Sequence, residues 1–161
     1  IGQVGNKIVN IEPTDIKETA YKIEIQETNE GSISSTTSSG EFIEPISSLL
    51  ITASLESGEK IYKKCSTCHN YKRDSKSKVG PNLWNIINRP KANINGFKYS
   101  KALAEYGGKW SYEELGQFLY KPKQYINGTK MNFAGLKNAQ DRADLILWLR
   151  QHSDNPIPLP E

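Results

Sequence analysis

Apolar side chains are spread unevenly along this chain of 161 residues, and their spacing predicts where it packs. Residues 1–30 alternate only weakly. The run Tyr21-Lys22-Ile23-Glu24-Ile25-Gln26 places apolar residues two apart, as a strand would, but no hairpin partner follows. Residues 31–40, Gly-Ser-Ile-Ser-Ser-Thr-Thr-Ser-Ser-Gly, are too polar and too simple to build a core. Residues 1–45 are therefore expected to be an acidic, largely disordered linker, and 46–161 the packed domain. Apolar residues return over 46–55, and a helix is expected to begin there.

From Glu56 helix formers run to Lys64. The stretch 70–90 is rich in Lys, Ser, Asn, Gly and Pro and predicts loop with at most one short turn. Ser100 can cap a short helix over 101–106, which Gly107-Gly108 ends. Ser111 with Glu114 three residues on is a capping box for a helix over 112–119, and Pro122 lies beyond its end. Residues 123–137 hold two glycines and predict loop. Asn138 can cap a last helix over about 139–151, with Leu145, Trp148 and Leu149 on one face. Asn155-Pro156 and the alternating prolines end it. Short helices joined by such long loops are unusual in a small domain, unless something other than side chains fills the core. A large apolar cofactor would do so.

Composition agrees. Hydrophobic residues make up 36% of the chain, below the roughly 45–50% of a uniformly globular one. The net charge of +3 hides a division. Of 21 basic and 18 acidic residues, three and nine fall in 1–57, which is net −6, so 58–161 carries 18 and nine, a net of +9. A domain so basic favours encounter with an anionic partner. No stretch approaches the ~20 apolar residues of a membrane span, and no signal peptide is visible. The chain begins at Ile1 rather than Met, which leads us to expect a processed product or a fragment whose precursor carried a signal or anchor.

The chemistry lies in Cys65-Ser66-Thr67-Cys68-His69. Two cysteines three positions apart are no disulfide framework. C-x-x-C followed by His is the attachment signature of c-type haem. Two thiols one helical turn apart can each add to a vinyl group of one macrocycle, and the next residue places an imidazole under the iron. Half of a zinc site is the other reading, but zinc needs two further ligands. The chain offers only His152 and no other cysteine. Met131, its single methionine, sits in the polar loop Asn127-Gly128-Thr129-Lys130-Met131 rather than on a helical stripe. A thioether opposite imidazole favours ferrous iron and suits an electron carrier. Filling both axial positions leaves no open site for oxygen or peroxide. A histidine ligand also needs an acceptor for its other nitrogen, and the Gly80-Pro81 carbonyls are candidates.

At these residues the chain resembles the class I cytochromes c, close to the mitochondrial protein and its bacterial relatives. The resemblance runs through Cys65 to His69, Val79-Gly80-Pro81-Asn82-Leu83, Gly96-Phe97-Lys98-Tyr99-Ser100 and Gly108-Lys109-Trp110. It continues through Lys121 to Met131, Phe133-Ala134-Gly135, and Asp144 to Leu149. It implies an all-α fold of short helices and long loops wrapped around one covalent haem c. Cys65 and Cys68 would carry the haem, and His69 and Met131 would be the axial ligands. The Pro81 carbonyl would accept from the ligand imidazole. Arg89, Tyr99, Trp110 and Thr129 would lie near the propionates. Gly58, Tyr62, Leu145 and Trp148 would form the contact of first and last helices. Lys64, Lys78, Lys123, Lys130 and Lys137 would ring the exposed haem edge and dock an acidic partner. Phe118, Leu103 and Asn127 stand where the mitochondrial protein has Tyr, Asn and Pro, so a different pocket hydrogen-bond pattern is expected.

The resemblance further implies a one-electron carrier between a cytochrome bc-type complex and a terminal oxidase. The alternative is a peroxidase-like haem protein, which requires a weak or absent Met131 bond. The acidic N-terminal segment resembles the linker of membrane-anchored alphaproteobacterial cytochromes c. A place on the periplasmic side of the cell membrane, tethered by a transmembrane helix missing here, is expected. Nucleic-acid binding is not: the charge flanks a haem motif and no nucleic-acid-binding motif is present.

Overall fold

The computed structural model describes Gly2 and residues 42–161. The strand-like run at 21–26 and nearly all of the expected linker lie outside the described residues. From 42 onward the chain belongs to one compact unit.

Every regular element among the described residues is helical: a 3-10 helix over Ser47–Thr52, then α1 (Leu55–Tyr62), α2 (Lys101–Tyr106), α3 (Tyr112–Tyr120), α4 (Pro122–Tyr125) and α5 (Ala139–Gln151). A lone antiparallel bridge pairs Pro90 with Lys109. Side-chain caps set the starts, at Ser100, Ser111 and Asn138 as expected and at Ser54 in addition. The side chains of Ser54, Ser100, Ser111 and Asn138 each accept a backbone N–H three residues on. Gly107 at φ 71° ends α2, a conformation that suits a residue without Cβ.

Two details differ from expectation. Pro122 opens α4 instead of merely following α3. Its ring presets a helical φ, and its missing N–H would have been an orphan anyway. The capping box at Ser111 is one-sided: Ser111 accepts from Glu114 N, while the Glu114 carboxylate takes the ammonium of Lys91 at 2.7 Å. An ion pair outcompetes a second cap bond.

α1 crosses α5, and Gly58 makes the crossing close. A Cβ there would stand 2.2 Å from the Asp144 carbonyl oxygen and 2.6 Å from Trp148 Cβ. Tyr62 stacks on Trp148 at 4.6 Å between ring centroids. Ile46, Leu50, Leu145 and Ile146 are fully buried between the 3-10 helix, α3 and α5. Each such side chain contributes roughly 1.5–3 kcal/mol on burial. The long loop between α1 and α2 is held by its own polar groups. Buried Asn82 donates to the Lys72 and Ser75 carbonyls and accepts from Trp84 N. No helix of the described residues is long and apolar enough to cross a membrane.

Candidate functional site

The Cys65–His69 segment winds directly out of α1. Cys65 N and Ser66 N donate to the Tyr62 carbonyl, and Cys68 N and His69 N donate to that of Cys65. The turn keeps the two thiols one helical turn apart. Both are free, Cys65 half-buried and Cys68 exposed. Burial, then the neighbouring Cys68, pushes the Cys65 thiol up to about 11. A redox-active C-x-x-C pair needs the opposite shift, so disulfide exchange is poorly served here.

His69 is fixed from three sides. Its Nδ1 lies 2.7 Å from the Pro81 carbonyl, which can only accept, so Nδ1 carries the proton and Nε2 keeps its lone pair. The Tyr62 hydroxyl donates to the His69 carbonyl at 2.6 Å. The ring lies against Gly80, where a Cβ would come within 2.3 Å of the imidazole. Burial holds the imidazole pKa below its usual value against the Pro81 bond, and the Arg89 and Lys78 charges add to the lowering. The neutral imidazole is the form that binds a metal.

Met131 is half-buried and packs on the core. Its backbone N–H donates to Thr129 Oγ1 at 3.3 Å. Upstream, the Lys130 ammonium donates to the Lys98 and Tyr99 carbonyls. Downstream, Leu136 N donates to Leu119 O, and Gly135 at φ 96° passes so close to α3 that a Cβ would meet the Tyr120 carbonyl at 2.0 Å. The strap bearing Met131 is thus pinned at both ends.

Arg89 is largely withdrawn from water, which lowers its pKa, and its Nη1 donates to the Asn82 and Trp84 carbonyls at 2.9 Å. The Tyr99 hydroxyl accepts from Ile94 N, and its ring meets Phe97 edge-on. Trp110 is buried and packs on Phe118 at 4.9 Å. Leu103 is half-buried against the same core. An open cavity of ≈730 Å³ adjoins Asn82, Trp84 and Arg89 and reaches Ile94 and Phe97. Lys64, Lys78, Lys123, Lys130 and Lys137 are all exposed. Lys78 reaches the Ser66 carbonyl, inside the C-x-x-C, while Lys137 reaches the Tyr120 carbonyl.

Several organising residues escaped the sequence reading. Lys91 has a buried side chain, paired with Glu114 and lying over the Tyr106 and Trp110 rings. Nothing in its loop sequence signals this. Arg142 is 1% exposed and donates to the Leu136, Lys137 and Glu44 carbonyls. Its signal was present, because 142, 145 and 149 share one helical face whose other members are leucines.

The residues present fit a covalently held haem. The turn spaces two thiols, an imidazole offers Nε2 from a cradle only glycine permits, and a thioether waits on a pinned strap. Imidazole and thioether together are a donor pair for haem iron. The comparisons agree. The cytochrome c family model matches residues 55–153. The chain is 40% identical to a cytochrome c homolog of Rickettsia felis over 153 residues, 94% of this chain and 85% of that one. It is 42% identical to a cytochrome c homolog of Bradyrhizobium diazoefficiens over 118 residues, 73% of this chain and 64% of that one. Among solved structures, cytochrome cH from Methylobacterium extorquens superposes with a TM-score of 0.58 at 32% identity, covering 62% of this chain and 99% of that one.

Proposed function

The chain belongs to the cytochrome c family, and on that premise we propose that it serves a respiratory chain, carrying electrons from a cytochrome bc-type complex to a terminal cytochrome oxidase. As a family member it carries one covalent haem c and is an electron carrier, not an enzyme. The haem supplies the one-electron couple; the chain supplies attachment, ligands and surroundings.

In this proposal Cys65 and Cys68 would hold the group covalently, and His69 Nε2 and the Met131 sulfur would be the ligands to its iron. The observation that carries it is the His69 imidazole, its Nδ1–H spent on Pro81 and its ring seated on Gly80. Such an imidazole is held in one orientation and in the neutral form that iron would need. Arg89 and Tyr99 would set the polarity beside the propionates, and the buried Trp110 and Phe118 would add apolar surface to the pocket. The exposed lysines on the +9 domain present the docking face to an acidic partner.

The same proposal puts the domain on the periplasmic side of the cell membrane. Haem attachment of this type takes place outside the cytoplasm, and the acidic segment before residue 46 suits a tether to an N-terminal anchor.

Spectroelectrochemistry of the holoprotein tests the ligand set. A reversible one-electron couple at positive potential is expected, with a thioether–iron absorption band in the oxidised state. Met131→Ala should abolish that band and lower the potential. A wild-type protein without the band at neutral pH would sink the six-coordinate assignment and revive the peroxidase-like one.

A further inference from the structure

The segment ahead of α1 is bound into the domain by three charged side chains, those of Glu113, Asp144 and Arg142. Glu113, in the first turn of α3, accepts from Ile46 N at 3.0 Å, from Ser47 N at 2.7 Å and from the Ser47 hydroxyl at 2.5 Å. One carboxylate thereby caps the 3-10 helix and seats the arm on α3. Ile46 is 1% exposed and lies on Gly116, where even a Cβ would crowd it at 3.1 Å. Leu50 is equally buried, and Ser54 N donates to Asp144 on α5. This arm lies before residue 55, where the family match begins.

Arg142 connects the arm to the methionine strap. Its Nη2 donates to the Glu44 carbonyl at 3.2 Å, while Nη1 donates to the Leu136 and Lys137 carbonyls at 3.0 and 2.9 Å. The guanidinium is almost wholly buried and its Nε has no hydrogen-bond partner; it lies 5.1 Å over the Tyr120 ring, and the Glu44 and Glu113 carboxylates attract it through space. The three carbonyls are the hydrogen-bond acceptors that offset its burial. If the arm lifts, Nη2 loses its acceptor and water gains access. The strap carbonyls then compete with water for Nη1.

We propose that Glu113 and Arg142 are positioning residues for the axial methionine: by clamping the 44–53 arm they hold the 131–137 strap closed over the iron. The proposal rests on Met131 as the sixth ligand. It concerns no residue that touches the haem. The arm is then a working part of the ligand assembly rather than the end of a tether.

The test is binding of exogenous imidazole to the ferric full-length holoprotein, followed by loss of the thioether–iron band. Imidazole binds only when the strap opens. Glu113→Ala removes the carboxylate that takes Ile46 N and both Ser47 donors, and imidazole affinity should rise about tenfold, the equivalent of about 1.4 kcal/mol in strap opening. Glu113→Gln keeps one acceptor oxygen and should recover most of the wild-type affinity. Gly116→Val displaces Ile46 directly and should reproduce the Glu113→Ala effect should that variant fold poorly. Asp154→Ala serves as a control for loss of stability alone. It strips Arg73, Trp84 and Asn85 of a partner far from the strap. It should lower the melting temperature and leave imidazole affinity unchanged. Unchanged affinity in both Glu113→Ala and Gly116→Val overturns the proposal, as does an equal rise in Asp154→Ala. Absence of the band in the wild-type protein overturns the ligand assignment and this proposal with it, and is told apart from the other outcomes before any variant is made.

Discussion

Tyr62 does two jobs with one side chain: its ring stacks on Trp148 and its hydroxyl donates to the carbonyl of His69. The bond fixes the backbone of the proposed ligand from the side opposite Pro81. Tyr62→Phe keeps the stack and loses the donor, leaving a part-buried carbonyl unpaired. Chemical denaturation should record a loss of about 1 kcal/mol. The same hydroxyl predicts a pH effect. Burial, with smaller contributions from Cys65 and Tyr71, raises its pKa from 10.0 to about 12. A raised pKa means that the folded state favours the protonated phenol. Its stabilising share is complete below pH 10.0 and is lost as pH climbs through about 12. Denaturation midpoints measured across that window should fall less steeply in Tyr62→Phe than in the wild type. An equal fall in both would assign the alkaline loss elsewhere.

At the level of elements, the domain hangs on the α1–α5 crossing, and the crossing hangs on Gly58. A Cβ at Gly58 would collide with the Asp144 carbonyl and with Trp148 Cβ, so there is no room for a methyl group. Gly58→Ala cannot be absorbed by a rotamer change, because backbone is the obstacle. We expect a loss at or above the top of the overpacking range, about 3 kcal/mol. Thermal unfolding should show it, with the haem still attached through Cys65 and Cys68. A melting temperature within a degree or two of wild type would mean that α1 slides freely over α5. The caps that start α2, α3 and α5 were legible in the sequence because they are local. Each needs only a short polar side chain and an N–H three residues later. The start of α4 at Pro122 and the 3-10 turn at Ser47 were less so. Both depend on what surrounds them, the latter on a carboxylate 66 residues away.

Over the whole molecule, charge is divided between an acidic N-terminal third and a domain carrying +9. If that charge steers docking, electron transfer to an anionic oxidase should slow as ionic strength rises from about 0.01 to about 0.15 M, where the Debye length shrinks from about 30 to about 8 Å. Stopped-flow oxidation of the reduced holoprotein measures it, and a rate indifferent to salt would remove the lysines from the docking face. The chemistry of the chain was readable from one dimension. Five consecutive residues, one methionine and a set of short motifs in order identify a haem-bearing electron carrier, because thiol, imidazole and thioether are defined by residue type and spacing. What the sequence could not decide is which distant groups meet. It could not place Lys91 over Trp110 with Glu114, nor put Gly80 against the imidazole with too little space for a Cβ. Nor could it bring Glu113 and Arg142 to an arm about 66 and 98 residues before them. Those contacts arise only when loops and helices close on one core, where burial makes an unpaired charge or carbonyl costly and so selects the partner.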